Sequence, residues 1–411
     1  MAAAKTKTQT KCTAKKTAGA SAAKKAAKPA AKKASGSDAK SGTKSGAKSS
    51  SAGTAKTGAK SSAKGRYVCY AAGYTRDHKH GIWVYDFDPE KGRIKFKAET
   101  EISNPSYISI AHKGGFLYSI TDEGVHAYRI EADGTLSFLN KSGINGMRGC
   151  YISTDYEDKF LFVAGYHDGK VTVLSLNKDG SIGRICEEIY HKGFGSVGER
   201  NFMPHIDCVK MTRDNKYLCA TDVGMDHVRV YKLDHVTGHL TLADIIRCDI
   251  ESAPHQIKFS LDGKFAYIIH EMKNKIDVYS YKDRNGTPDF EKLQSVSTVN
   301  DYHAGNSAAY AIQLSSDGKH MYCSNAGDNS VSAFERDEKT GLLTKIFTLP
   351  ISGDFPKDIA ISDDDKYLLS INNESSTISF FRMNLKEGTI VMNGPMEKFH
   401  SGNCIIIHKL V

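Results

Sequence analysis

Between Tyr67 and the C-terminal run Cys404–His408, one unit of about 50 residues recurs seven times. Each copy reads as an apolar alternating run, a turn of the Asp-Gly-Lys type, an aromatic-rich strand, a polar corner and a further alternating strand. The clearest pair is His255-Gln256-Ile257-Lys258-Phe259-Ser260-Leu261-Asp262-Gly263-Lys264-Phe265 against Ile312-Gln313-Leu314-Ser315-Ser316-Asp317-Gly318-Lys319-His320. With the residue after the turn as marker, the copies fall at Phe116, Phe160, Tyr217, Phe265, His320 and Tyr367, and Tyr67 opens the first. The spacings are 49, 44, 57, 48, 55 and 47 residues, which is the period of propeller blades. Apolar residues alternate with period two inside each unit, as in Lys275–Tyr281 and Ser330–Phe334, so short antiparallel strands are expected, not crossover helices. Turns such as Asp133-Gly134, Asp179-Gly180 and Thr340-Gly341 each introduce a fourth strand. The chain is therefore expected to be all-β, a seven-bladed β-propeller over 67–411. Cys404–His408 has no partner strand of its own and the first unit starts abruptly at Tyr67. The two ends are expected to share a blade and close the ring, which removes the open edges.

Other repeat scaffolds fit less well. No Trp-Asp pair ends the third strands, Trp83 is the only Trp, and double-Gly motifs do not recur. No apolar run approaches the roughly 18 residues of a membrane helix, so no membrane association is expected.

The formal net charge of +9 is an average of two unlike parts. Residues 1–66 hold 16 Lys and one Arg against the single acid Asp38, a sum of +16, which leaves −7 for the rest. Up to Gly65 the segment has no aromatic residue and no Leu, Ile or Val, so it cannot bury enough apolar surface to offset the entropy of ordering. A disordered Lys/Ala/Ser-rich tail is expected at 1–66, similar to linker-histone tails. Its regularly spaced Lys would contact nucleic acid or another polyanion without sequence readout, by counterion release. A purely solubilising appendage explains the composition equally well. A secretory signal would need an apolar central region, and a transit peptide an Arg-rich amphipathic face; the segment has neither.

The nine Cys form no C-x-x-C pair, so a zinc ribbon or redox motif has no support; several sit inside apolar runs as small hydrophobes. A reducing compartment, the cytoplasm, is expected. No metal and no cofactor is expected, and a monomer or weak homo-oligomer.

In a propeller, the start of each innermost strand and the end of the second strand meet at one face, so seven corners converge on the central channel. The corners supply Arg148 from unit three, and Arg200, His205 and Asp222 from unit four. Units five to seven add His255 and Glu271, Asn306 and Asn325, and Lys357. Each alone is commonly a strand cap or a turn closer; their convergence suggests a site for a polar, anionic small molecule. Gly-rich phosphate loops and nucleophile elbows are absent.

The motifs Asn104-Pro105-Ser106-Tyr107, Pro204-His205, Thr221-Asp222-Val223-Gly224, Ala253-Pro254-His255, His270-Glu271, Ser324-Asn325-Ala326-Gly327 and Phe355-Pro356-Lys357 together resemble the seven-bladed lactonase propellers. That family includes propeller-type 6-phosphogluconolactonases and fungal carboxy-muconate cyclases, and the resemblance spans essentially all of 67–411. The match is uneven. The family's second His is Asp207 here, its Gly-Pro-Arg is Ala253-Pro254-His255, its Asn-Arg-Gly is Asn325-Ala326-Gly327, and its Pro-Arg is Pro356-Lys357. The resemblance implies a lactonase acting on a sugar lactone, 6-phosphogluconolactone, in the pentose phosphate pathway of glucose metabolism. His205 is expected as general base, with Glu271 orienting it or replacing it. Arg148, Arg200, Asp222, His255, Asn306, Asn325 and Lys357 are expected to bind substrate. A muconate-type cycloisomerase is the second reading, disfavoured by the missing Arg, since a dicarboxylate wants paired cations. A non-catalytic ligand- or partner-binding propeller is the third.

Overall fold

The computed structural model describes residues 65–75, 81–195, 203–301 and 306–410. Every regular element among them is a β-strand, and no helix is long and apolar enough to cross a membrane. The expected disordered tail, up to residue 64, lies outside the described residues.

Seven sheets form seven blades, six of them from consecutive strands. In blades two to seven the second strand begins at Phe116, Phe160, Tyr217, Phe265, His320 and Tyr367, the six markers of the repeat. The remaining sheet joins Gly402–Leu410 to Arg66–Gly73, Ile82–Asp88 and Arg93–Thr100. The ring closes as expected, with Cys69 opposite Ile407 and Tyr70 opposite Ile406.

The blades hold together through apolar faces that meet between neighbours. Cys69, Tyr85 and Ile405 pack with Leu369 and Ile371 of blade seven, while Val68, Tyr70 and Cys404 pack with Ile108 and Leu117 of blade two. Alternation along a strand sends successive side chains to opposite faces, so each blade serves two interfaces.

Tyrosines further along the second strands tie neighbouring blades together. Tyr70, Tyr118 and Tyr267 reach across to the following blade and donate to the carbonyls of Gly134, Gly180 and Gly341 at 2.8, 3.0 and 2.9 Å. These glycines have φ of +89°, +84° and +74°. At Gly341 a Cβ would come within 2.3 Å of the Phe265 ring, so both the conformation and the approach require glycine. Tyr267 also accepts from Arg336 Nε at 2.6 Å inside the same buried contact. Tyr267→Phe is expected to destabilise by about 1–3 kcal/mol, because it strands a buried carbonyl and a buried guanidinium. The denaturant midpoint reads that loss.

One irregularity recurs at the channel. The register between first and second strands slips between Ile206 and Cys208, between Pro254 and Gln256, between Ala309 and Ile312, and between Pro356 and Asp358. Each slip is a β-bulge, which leaves a residue unpaired and re-aims its side chain. The residues at these bulges are Asp207, His255, Tyr310 with Ala311, and Lys357. Equivalent positions of successive blades thus carry an acid, an imidazole, a phenol and an ammonium around one mouth of the channel.

Candidate active site

His255 is at the middle of this set. It is buried, and its Nε2 lies 2.7 Å from Asp207 Oδ2. Burial opposes charge on the ring, but the Asp207 carboxylate and its hydrogen bond, helped by Glu271, outweigh that and raise the pKa above the usual imidazole value. His255 is thereby favoured as a cation where the resembled family has Arg. Its Nδ1 is buried with no hydrogen-bond partner among the described residues, an orphan donor inside the site.

Tyr310 packs against His255 with ring centroids 4.1 Å apart, and Lys357 Nζ donates to its hydroxyl at 2.9 Å. Burial, with Asp207 and Glu271 nearby, pushes the Tyr310 phenol well above its usual range, so its proton stays on and can be donated. Glu271 joins the site at the end of blade five's second strand, where its charge acts on both His255 and Tyr310.

His205 stands two residues before Asp207. Its backbone N–H donates to Asp222 Oδ1 at 2.9 Å, and its ring stacks on Tyr166 with centroids 4.4 Å apart. Nδ1 is 2.7 Å from the Tyr166 carbonyl oxygen, which can only accept. The ring proton must therefore sit on Nδ1, leaving Nε2 as the basic nitrogen.

Arg148 lies over the Tyr74 ring at 4.8 Å and pairs with Asp122 at 3.0 Å. Asp122 also accepts from Asn104 Nδ2 at 2.6 Å, so Arg148 is already partly neutralised. Arg200 lies outside the described residues. Asn306 is exposed on the loop leading into blade six.

Two expected substrate contacts are placed elsewhere. Asp222 and Asn325 are fully buried and close the corners of their own blades. Asn325 Nδ2 donates to the Thr298 carbonyl and the Ser330 hydroxyl, both at 3.0 Å. Asp222 accepts from the His205 backbone and contacts His191 Nδ1 at 2.7 Å. The end of a second strand faces into its sheet, whereas the bulge beside it faces the channel, and that difference separates the two sets. Tyr310 is not conspicuous in the sequence for the same reason, whereas Asp207 is one of the channel-corner residues of unit four and stands where the family has its second His. The signal available was the register of the copies: counted back from the turn residues Asp214, Asp262, Asp317 and Asp364, the residues Asp207, His255, Tyr310 and Lys357 fall at one position.

His191, Asp222 and His227 place their ligand atoms within 4.8 Å of one another. Both nitrogens of His191 are engaged, by Asp222 and by the Tyr231 hydroxyl at 2.9 Å, and Arg229 Nε lies 3.2 Å from His227 Nε2. A cation there would face a guanidinium and compete with every one of these bonds. The cluster works as a brace for His205.

The family profile described as "Lactonase, 7-bladed beta-propeller" matches residues 68–407. A 6-phosphogluconolactonase of Bacillus subtilis is 30% identical over 333 residues, covering 80% of this chain and 94% of that protein. A periplasmic gluconolactonase of Pseudomonas aeruginosa superposes with a TM-score of 0.78 at 26% identity, over 84% of this chain and 100% of that one. A Bacteroides fragilis protein described as a candidate 6-phosphogluconolactonase gives 0.77 at 29% identity, over 85% and 99%.

Proposed function

This chain belongs to the lactonase family of seven-bladed β-propellers, and on that premise we propose that it hydrolyses 6-phosphogluconolactone to 6-phosphogluconate. The observation that carries this reading is the pairing, at one mouth, of a basic His205 nitrogen with a ring of donors formed by His255, Tyr310 and Lys357. Ester hydrolysis needs both a proton acceptor for water and donors for the developing oxyanion.

In this mechanism His205 Nε2 takes a proton from water as the oxygen attacks the lactone carbonyl carbon. The carbonyl oxygen becomes an oxyanion held by the His255 Nδ1–H and the Tyr310 hydroxyl. The bond to the ring oxygen then breaks, the leaving alkoxide takes the proton from His205, and the new carboxylic acid ionises. Lys357, with Arg148 and Arg200, holds the phosphate. Glu271 keeps His255 charged, or replaces His205 as base. A sugar δ-lactone also opens unaided, so a modest constellation suffices. The eight free thiols among the described residues support a cytoplasmic setting.

Turnover of 6-phosphogluconolactone against unphosphorylated gluconolactone tests the substrate. A kcat/KM at least about tenfold higher for the phosphorylated lactone is expected from one charge-assisted contact; equal values would rule out phosphate recognition.

The raised pKa of His255 predicts the alkaline limb of the pH profile. The imidazolium is complete below the usual value of about 6.5 and disappears as pH rises through the raised one. kcat/KM is expected to fall over that window, and so is the stability from the Asp207 pair. His255→Arg keeps its charge throughout, and its profile is expected to stay flat on the alkaline side.

A further inference from the structure

Three residues beyond the His255 level, each innermost strand reaches a second ring of equivalent positions, about 10 Å deeper by strand rise. There the channel holds a cavity of about 280 Å³ lined by Lys210, Lys258, Gln313, Ser109, Tyr107 and Tyr151, among others, with Asp358 in its wall. Lys210 and Lys258 occupy the same register position in adjacent blades, opposite Cys219 and Tyr267. Neither ammonium has an ion pair or hydrogen bond with any described residue. The Asp358 carboxylate is committed to the backbone, accepting from Ile405 N at 3.0 Å and Ile359 N at 2.9 Å.

The two ammonium groups, each only half-buried, share this confined space, and the Asp358 charge offsets their repulsion in part by acting on Lys258. Burial, reinforced by Lys258, lowers Lys210 to about 8, and burial likewise lowers Lys258. Gln313 and Ser109 add an amide and a hydroxyl beside the lysines, Tyr107 and Tyr151 hydrogen-bond each other, and most of the remaining wall is apolar. An oxyanion bridging the lysines would supply the counter-charge and hydrogen-bond acceptors that the two ammonium groups lack.

We propose that this inner cavity is a binding site for a small oxyanion, a phosphate or a carboxylate, held between Lys210 and Lys258 and separate from the lactone site. Its chemistry owes nothing to His205, His255 or Lys357, so it stands whether or not the lactone is the substrate.

The experiment compares the full chain with its Lys210→Met/Lys258→Met form by thermal melting and calorimetry. Inorganic phosphate and succinate are the two anions, and chloride is the control. The tail and the lactone site are common to both forms, so the difference reads the cavity. Wild type is expected to melt higher with phosphate or succinate than with chloride. The double variant is expected to melt at least as high as wild type in chloride, with like charges removed, and to gain less than wild type from the anions, keeping only what the tail and the lactone site contribute. The anion with the larger difference between the two forms identifies phosphate or carboxylate as the preferred group. Equal anion responses in the two forms, or none in wild type, overturn the proposal. Should the double variant not fold, Lys258→Gln alone decides: binding about tenfold weaker is expected from one lost charged hydrogen bond, and unchanged affinity overturns the site.

Discussion

His205→Ala is expected to lower kcat for lactone hydrolysis by about 10²–10⁴-fold, the usual worth of a positioned general base, with little change in KM. The size of the effect follows from how firmly the ring is held. The Tyr166 carbonyl at 2.7 Å fixes the tautomer, stacking on the Tyr166 ring fixes the plane, and Asp222 fixes the backbone at 2.9 Å. Asp222 is itself steadied by His191, whose far nitrogen meets the Tyr231 hydroxyl at 2.9 Å. Burial outweighs the Asp222 charge and keeps His191 below the usual imidazole value, hence a neutral brace. Glu271→Gln is the companion measurement. With His205 as base it removes only a charge that supports His255 and costs less than His205→Ala. A wild-type rate in His205→Ala with a large loss in Glu271→Gln would transfer the role to Glu271. Stopped assays must subtract the spontaneous opening, which sets the floor for both variants.

What the sequence disclosed and what it hid have one cause. Period-two alternation and the Asp-Gly-Lys turns arise from local chemistry, so the markers fell on the first residues of the second strands and Cys404–His408 was recognisable as the closing strand. The channel residues depend on an insertion in pairing, not on residue type. Ile206 pairs with Asp222 and Cys208 with Thr221, and Asp207 is the residue left over. A bulge has no composition of its own, so Tyr310 looked like one more strand aromatic. Asp222 and Asn325 looked equally able to face the channel, although they close blade corners. His255 and Lys357 were legible because a charged residue beside Pro254 or Pro356, at a strand start, is conspicuous without any register. The unpartnered state of Lys210 and Lys258 was likewise invisible, since each reads as an ordinary polar residue in an alternating strand.

Deleting residues 402–411 is expected to abolish soluble monomer altogether, an effect larger than any single substitution in the site. Eight paired positions, from Arg66–Leu410 to Gly73–Gly402, are lost from the only blade built from both ends of the described chain. The strand also supplies two interfaces at once, because its alternation turns Ile405 toward blade seven and Cys404 toward blade two. Both are about 1% exposed. Ile405→Ala alone should cost about 2–5 kcal/mol by transfer and cavity terms. The deletion removes that contact, the Cys404 contact and the pairing, which together match or exceed the roughly 5–15 kcal/mol that holds a whole domain. It also bares the edge of Arg66–Gly73, whose residues Val68–Ala72 are fully buried in the intact ring. Aggregation should therefore accompany unfolding. A synthetic peptide of residues 402–410 added during refolding should recover part of the soluble protein by pairing with that edge. A deleted chain that stays monomeric, with the wild-type melting temperature, would show that closure contributes nothing and that six complete blades hold the ring by themselves.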